Sequence, residues 1–200
     1  AWTAESNQLE AYFGFSVSIA GDVNGDGYSD VIGGAHTFNG EGRAFVYLGS
    51  TAGPSLTPAW TAESGQSSAA FGVCVASAGD VNGDGYSDVI VGAYRFDNGQ
   101  SDEGRAFVYL GSAAELPLRP AWTAESDQAS AQFGVSVASA GDVNGDGYTD
   151  VIVGAPYFDN GLTDEGRAFA YFGSATGLLL TPAWTAESDH TGAQFGASVA

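Results

Sequence analysis

Along residues 71–126 the apolar positions fall into four short clusters, separated by stretches rich in Gly, Asp and Asn. Residues 71–76 alternate Phe71, Val73 and Val75 with small residues, the period of a half-buried strand. Residues 89–93, Val-Ile-Val-Gly-Ala, form a short apolar run suited to a strand covered on both faces. Gly104 and Arg105 lead into residues 106–110, rich in β-formers. Residues 120–125 supply a fourth strand with Pro120 at its entrance, as on the edge of a sheet. No segment sustains a helical period.

The pattern returns along the whole chain, so internal repetition governs the fold. Trp2, Trp60, Trp122 and Trp184 each open the phrase W-T-A-E-S, and a Phe-Gly pair recurs at Phe13-Gly14, Phe71-Gly72, Phe133-Gly134 and Phe195-Gly196. The first unit is slightly shorter. Its deficit lies between Ala35 and Arg43, where the later units carry longer acidic loops at 97–103 and 159–165, and loops absorb such changes cheaply. Repeat units are expected at approximately 13–64, 71–126 and 133–188, with a leading outer strand at 1–6 and a partial fourth unit at 195–200. Four short strands per unit at fixed spacing predict an all-β fold: a β-propeller of four-stranded antiparallel blades, three full ones plus terminal strands of incomplete ones.

Composition narrows the chemistry. Hydrophobic residues at 44% and aromatics at 12% suffice for a core, while 30 Gly point to tight turns. With 24 acidic against 5 basic residues the formal charge is −19, which argues against nucleic acid or an anionic membrane surface and invites cations. The single Cys excludes an internal disulfide framework and any multi-cysteine metal site. No apolar run approaches the ~20 residues of a membrane span, so membrane insertion is not expected. The sequence holds no Met, as in a processed, trimmed or excerpted product, and secretion is not legible at its N-terminus.

The string F-G-V-S-V-A…G-D-V-N-G-D-G-Y-T-D-V-I-V-G-A-P at residues 133–156 resembles the FG-GAP repeat of integrin α-subunit propellers and related bacterial surface proteins. Three copies and a fragment of a fourth cover essentially the whole chain. Gly-Ala-Pro is intact only at Gly154-Ala155-Pro156, becoming Gly34-Ala35-His36 and Gly92-Ala93-Tyr94 elsewhere, while the acidic loops are unchanged.

Each unit carries a nine-residue loop D-V-N-G-D-G-Y-[ST]-D, at 22–30, 80–88 and 142–150. Oxygen donors at positions one, three, five and nine, with a backbone carbonyl at seven, suit a hard cation. The ligand sets read from this pattern are Asp22, Asn24, Asp26, Tyr28 and Asp30; Asp80, Asn82, Asp84, Tyr86 and Asp88; and Asp142, Asn144, Asp146, Tyr148 and Asp150. Gly at positions four and six permits the left-handed backbone that wraps an ion. The expected cofactor is Ca²⁺, about one per repeat and three per chain; Mg²⁺ prefers a stiffer, water-rich octahedron. The resemblance implies the same, since similar FG-GAP loops bind calcium between the first two strands of a blade.

Three other readings apply to these loops. An EF-hand needs Glu at position twelve, where Gly33, Val91 and Val153 stand. A dockerin also begins G-D-V-N-G-D-G but feeds a helix, whereas each loop here runs into a strand. A solvated Asx-rich turn needs no metal, although carboxylates crowded into nine residues repel one another without a cation.

The remaining recurrent residues have ordinary explanations beside functional ones. Asp97 to Glu103 and Asp159 to Glu165 read as variable surface loops or as further cation or ligand sites. Arg43, Arg105 and Arg167 suit pairing with nearby carboxylates rather than ligand reading. The four Trp suit packing between blades rather than stacking on sugars. Cys74 fills a slot held by Ser16, Ser136 and Ser198, so a small side chain suffices there. His36 and His190 occupy unrelated repeat positions, and a Glu on every unit (Glu5, Glu63, Glu125, Glu187) does not mark a unique general acid. An enzyme is therefore not expected.

The leading expectation is a calcium-binding FG-GAP propeller module with structural calcium, extracellular or on a cell surface, serving adhesion or the binding of a protein or glycan ligand. Two alternatives stand beside it: a structural fragment that closes its ring by self-association or with the remainder of a longer propeller, and a non-catalytic domain of a larger secreted enzyme. Open blade faces invite association. Fourteen strand-like segments per chain leave six or seven blades for two copies.

Overall fold

A computed structural model describes residues 2–200. Twelve strands form three four-stranded antiparallel sheets, each a meander in chain order. The first comprises β1 (Ser16–Gly21), β2 (Asp30–Ala35), β3 (Arg43–Tyr47) and β4 (Trp60–Ala62). The second comprises β5 (Val75–Gly79), β6 (Asp88–Ala93), β7 (Arg105–Tyr109) and β8 (Trp122–Glu125). The third comprises β9 (Ser136–Gly141), β10 (Asp150–Ala155), β11 (Arg167–Tyr171) and β12 (Trp184–Glu187). These are blades of a β-propeller, with β1, β5 and β9 side by side along their inner edge.

The apolar run of the second strand is covered on both faces in the middle blade, where every residue of β6 is buried, while β2 and β10 each keep one half-buried residue, Val31 and Ile152, on the face that no neighbouring blade covers. The core lies between sheets. One buried cluster joins Ile32, Val46 and Trp60 of the first sheet to Val89, Val91 and Tyr109 of the second. Another joins Ile90, Val108 and Trp122 to Val151, Val153 and Tyr171.

Each Trp links one blade to the next. Trp60 meets Tyr109 edge-on at 4.9 Å and donates its indole N–H to the carbonyl of Pro117 at 3.0 Å. Trp122 does the same with Tyr171 at 4.8 Å and Leu179 O at 2.9 Å. Trp2 occupies the corresponding slot on the first blade, against Tyr47 at 5.2 Å and Ser55 O at 2.8 Å. Trp184 has no following blade in this chain and is 49% exposed, against 5% for Trp122.

The Phe-Gly pair departs from its expected place. It precedes the first strand, which begins at Val75 and not at Phe71. Ala70 and Gly72 adopt φ of +58° and +83°, left-handed values that interrupt an extended chain. Phe71 instead lies across the preceding blade, pairing in parallel with Gly42 and donating its N–H to Glu41 O at 2.9 Å. Phe133 and Phe195 repeat this crossing on Gly104 and Gly166. Beside each crossing two glycines touch: a Cβ on Gly34, Gly92 or Gly154 would overlap the carbonyl of Gly72, Gly134 or Gly196.

The end segments differ too. The described part of segment 1–6 and residues 195–200 form no ladder, Phe195 making only an isolated bridge, so twelve strands replace the fourteen expected. An outer strand needs the third strand of its own blade and an inner strand the second, and this chain supplies neither partner. Ala1 lies outside the described residues. Pro120 likewise lies outside the strand it introduces, because β8 starts at Trp122.

Because Trp122 is sealed between blades and Trp184 is not, truncation should separate them. Trp122→Ala should lower unfolding stability by roughly 3–5 kcal/mol, and Trp184→Ala by less than about 1 kcal/mol. Urea unfolding followed by circular dichroism checks both.

Candidate metal centres

The three acidic loops connect first to second strands, at 22–30, 80–88 and 142–150, and fold identically. In the first, Asp22 Oδ1 accepts the N–H groups of Gly25 and Asp26 at 2.7 and 3.1 Å, and Oδ2 accepts that of Gly27 at 2.8 Å. Asn24 Oδ1 accepts the Asp26 N–H at 3.1 Å, Asn24 Nδ2 donates to Asp26 Oδ2 at 3.0 Å, and Asp26 Oδ1 accepts the Tyr28 N–H at 3.0 Å. Gly25 and Gly27 take φ of +75° and +87°, which lets successive amides point inward. Asp80, Asn82 and Asp84 repeat these bonds, as do Asp142, Asn144 and Asp146.

Position nine plays a second role. Asp30, Asp88 and Asp150 are fully buried. Asp88 Oδ2 accepts the Val81 N–H at 2.8 Å and Oδ1 accepts the Gly111 N–H at 2.8 Å, so one carboxylate ties the acidic loop to the turn after the third strand. Asp30 bonds Val23 and Gly49, and Asp150 bonds Val143 and Gly173. Burial pushes the Asp88 carboxyl up to about 7; its two amide donors pull it down, and Asp84 and Asp80 add to the rise. Burial raises Asp30 as well, against the amides of Gly49 and Val23. At Asp142 the balance reverses: the N–H of Gly147, followed by those of Gly145 and Asp146, holds its carboxyl below the usual carboxylate range.

Neighbouring loops are linked. Ser87 donates its N–H to Asp22 O at 2.9 Å and accepts the Asp22 N–H on its hydroxyl at 3.2 Å; Thr149 does the same for Asp80 at 2.9 and 3.2 Å. The rings of Tyr86 and Tyr148 lie over Gly25 and Gly83 of the preceding loops. Positions one, three and five thus gather around shared amides, while position nine faces the protein interior. In none of the loops do three carboxylates bring oxygens within 4.8 Å of one another; among the described residues only Glu103, Glu125 and Asp127 do so.

The sequence reading offered Glu103, within the 97–103 loop, as part of a possible further cation site but did not join it to Glu125 and Asp127, which follow only after the third strand. It also left the recurrent Glu of W-T-A-E-S without a partner. Arg43 Nε donates to Glu63 at 2.6 Å, Arg105 Nε to Glu125 at 2.8 Å and Arg167 Nε to Glu187 at 2.7 Å, in each case from the start of the third strand to the end of the fourth or, for Glu63, the residue just after it. The matching repeat phase of Arg and Glu was the available signal. Each guanidinium also covers a Phe ring, at 4.0 Å for Phe38, 4.3 Å for Phe96 and 4.4 Å for Phe158.

The Ser slot is explained by the same repetition. Ser16 and Ser136 hydroxyls accept the N–H groups of Val75 and Val199 at 3.0 Å, and Cys74 Sγ accepts that of Val137 at 3.4 Å. Burial pushes the Cys74 thiol up, which disfavours the nucleophilic thiolate.

A family model described as the FG-GAP repeat matches residues 75–109 and 133–171, and one described as an FG-GAP-like repeat matches residues 22–91. The chain belongs to the FG-GAP repeat family. Its FG-GAP blades are similar to integrin alpha-7 of Homo sapiens, 36% identical over 198 residues that cover 96% of this chain and 16% of the relative. Integrin alpha-3 of Cricetulus griseus is 33% identical over 194 residues, 96% of this chain and 18% of the relative. Integrin alpha-5 of Xenopus laevis is 32% identical over 191 residues, 88% and 17% respectively. The chain therefore spans less than a fifth of the length of these relatives. The FG-GAP unit is an integrin alpha-like propeller module, and no helix among the described residues is long and apolar enough to cross a membrane.

The position-nine clamp has a consequence independent of any cation. Asp88→Ala strands two buried N–H donors, and each such loss costs about 1–3 kcal/mol. Thermal unfolding in excess chelator should show that destabilisation, whereas Asp84→Ala, in the exposed part of the loop, should show little.

Proposed function

We propose that the chain is a calcium-stabilised FG-GAP propeller module that works outside the cell, where it presents a rigid surface for adhesion or for a protein or glycan ligand. The observation that carries the calcium reading is the identical arrangement of oxygen donors in all three loops. Each position-one carboxylate is pinned by three backbone amides beside the oxygens of positions three and five. The donors fit a hard, oxygen-seeking cation: position-one Oδ1 is filled by two amides, whereas its Oδ2 and the oxygens of positions three and five each keep a lone pair for an ion. Asp22, Asn24 and Asp26, with Tyr28 through its carbonyl and Asp30 behind them, would hold the first ion, and the matching residues would hold the others. The ion would neutralise carboxylates that otherwise repel one another; nothing in its surroundings calls for chemistry.

The extracellular setting is supported by the acidic balance of the chain and by its likeness to integrin alpha chains. Calcium at about a hundredfold excess over its dissociation constant adds about 2.7 kcal/mol per ion to stability. Titration calorimetry should find about one calcium ion for each of the three acidic loops, and chelation should lower the unfolding temperature. Asp80→Ala should remove an ion. Equal unfolding with calcium and with chelator would overturn the calcium reading.

A second reading, association through the open blade faces, is favoured by a specific observation. Val17 on β1 is 59% exposed where its counterpart Val75 on β5 is 3% exposed. At the other end Trp184 lines a hollow of about 400 Å³ with Ala140, Val143, Ile152, Ala170 and Phe172. The equivalent positions are sealed wherever a neighbouring blade adjoins, before Val75 and after Trp122, so a further blade fits them, whether from a longer propeller or from a second copy. Native mass spectrometry should show a multimer of this chain; a stable monomer would assign the faces to the remainder of a longer propeller.

A further inference from the structure

Between the second and third blades lies a group of carboxylates that the acidic loops do not include. Glu103 ends the 97–103 loop, Glu125 ends β8, and Asp127 follows in the connection toward Phe133. One carboxylate oxygen from each lies within 4.8 Å of the other two. Glu103 is fully buried, at 0% exposure. Its Oε1 accepts the N–H groups of Asn98 and, at 3.3 Å, Gln100, but its buried Oε2 has no hydrogen-bond partner.

An unpaired carboxylate oxygen in such a position is costly unless a cation or a proton answers it. The nearby cation does not answer it: Arg105 is spent on Glu125, whose other oxygen accepts the Asn98 amide at 2.6 Å. Burial pushes the Glu103 carboxyl up, and the negative charges of Glu125 and Asp127 raise it further. Asp127 takes a left-handed φ of +56°, as Asn7 and Gly65 do at the same repeat position with +55° and +73°, so the turn accepts an amide, a carboxylate or no side chain there, and only this unit sets a carboxylate beside Glu103.

We propose that Glu103, Glu125 and Asp127 form a separate binding site for a divalent, oxygen-seeking cation, with Glu103 Oε2 as its buried ligand. Three carboxylates offset by a single guanidinium leave a charge that such an ion balances, and water completes its shell. An ion there would join the loop before β7 to the end of β8 and to the strap that leads into the third blade. The site stands apart from the acidic loops at 22–30, 80–88 and 142–150 and does not rest on their occupancy.

The test counts calcium bound to the whole chain by native mass spectrometry and titration calorimetry, with calcium chloride as the probe. Asp127→Asn, at an exposed position, should bind one ion fewer than the parent while unfolding at the parent's temperature in chelator. Glu103→Gln should lose the same ion. Replacing Asp22, Asp80 and Asp142 by Asn should lower the count yet leave the ion that Asp127→Asn removes. A parent that binds a single ion, lost in Asp127→Asn, would uphold this site while sinking calcium in the loops. Unchanged ion counts in both Asp127→Asn and Glu103→Gln would overturn it and assign the charge on Glu103 to a proton.

Discussion

Adjacent blades approach until backbone meets backbone, and the glycines at that contact set the spacing of everything around it. The carbonyl of Gly72 occupies the room a side chain on Gly34 would need, and Gly134 and Gly196 stand in the same way against Gly92 and Gly154. At that spacing Phe71 and Phe133 cross onto the preceding blade and reach full burial. Trp60 and Trp122 then span to Tyr109 and Tyr171 on the following blade. A methyl group at the contact would push the sheets apart, and the aromatic pairs beyond it would lose contact together.

The acidic loops belong to the same seam. Asp22 shares two hydrogen bonds with Ser87, and Asp80 shares two with Thr149, so the first two loops are each braced by the next. Position nine, buried beneath, ties its loop to the turn between third and fourth strands. An ion at positions one, three and five would therefore tighten an arrangement already held by amides. Its effect would reach the blade interface through the backbone of position one.

Ion pairing follows a related logic. Arg43, Arg105 and Arg167 each join a third strand to a fourth through a Glu while lying flat on a Phe ring. Partial exposure limits what these pairs add to stability to about 1 kcal/mol each. Their geometric effect is larger, because in the second unit the pair brings Glu125 beside the buried Glu103.

Strand number within each unit, the repeat, the blade architecture and the oxygen-rich loops were legible in the sequence, because each is written in local periodicity or spacing. Alternation marks a half-buried strand, a continuous apolar run marks a covered one, and Asp, Asn and Gly at fixed offsets mark a turn that gathers oxygens. The start of the first strand was misplaced because the Phe71-Gly72 pair fits an alternating pattern while its left-handed backbone serves a neighbouring blade. That the Arg would meet carboxylates and the Trp would pack between blades was legible; which residue each would meet was not. That Asp88 clamps Gly111, that Arg105 selects Glu125, and that Glu103, Glu125 and Asp127 converge depends on where the sheets come to rest. Local spacing is enough to say where strands and turns alternate within a unit; the packing of one blade on another sets where the first strand begins and which polar groups meet, because both depend on distances through space and not along the chain.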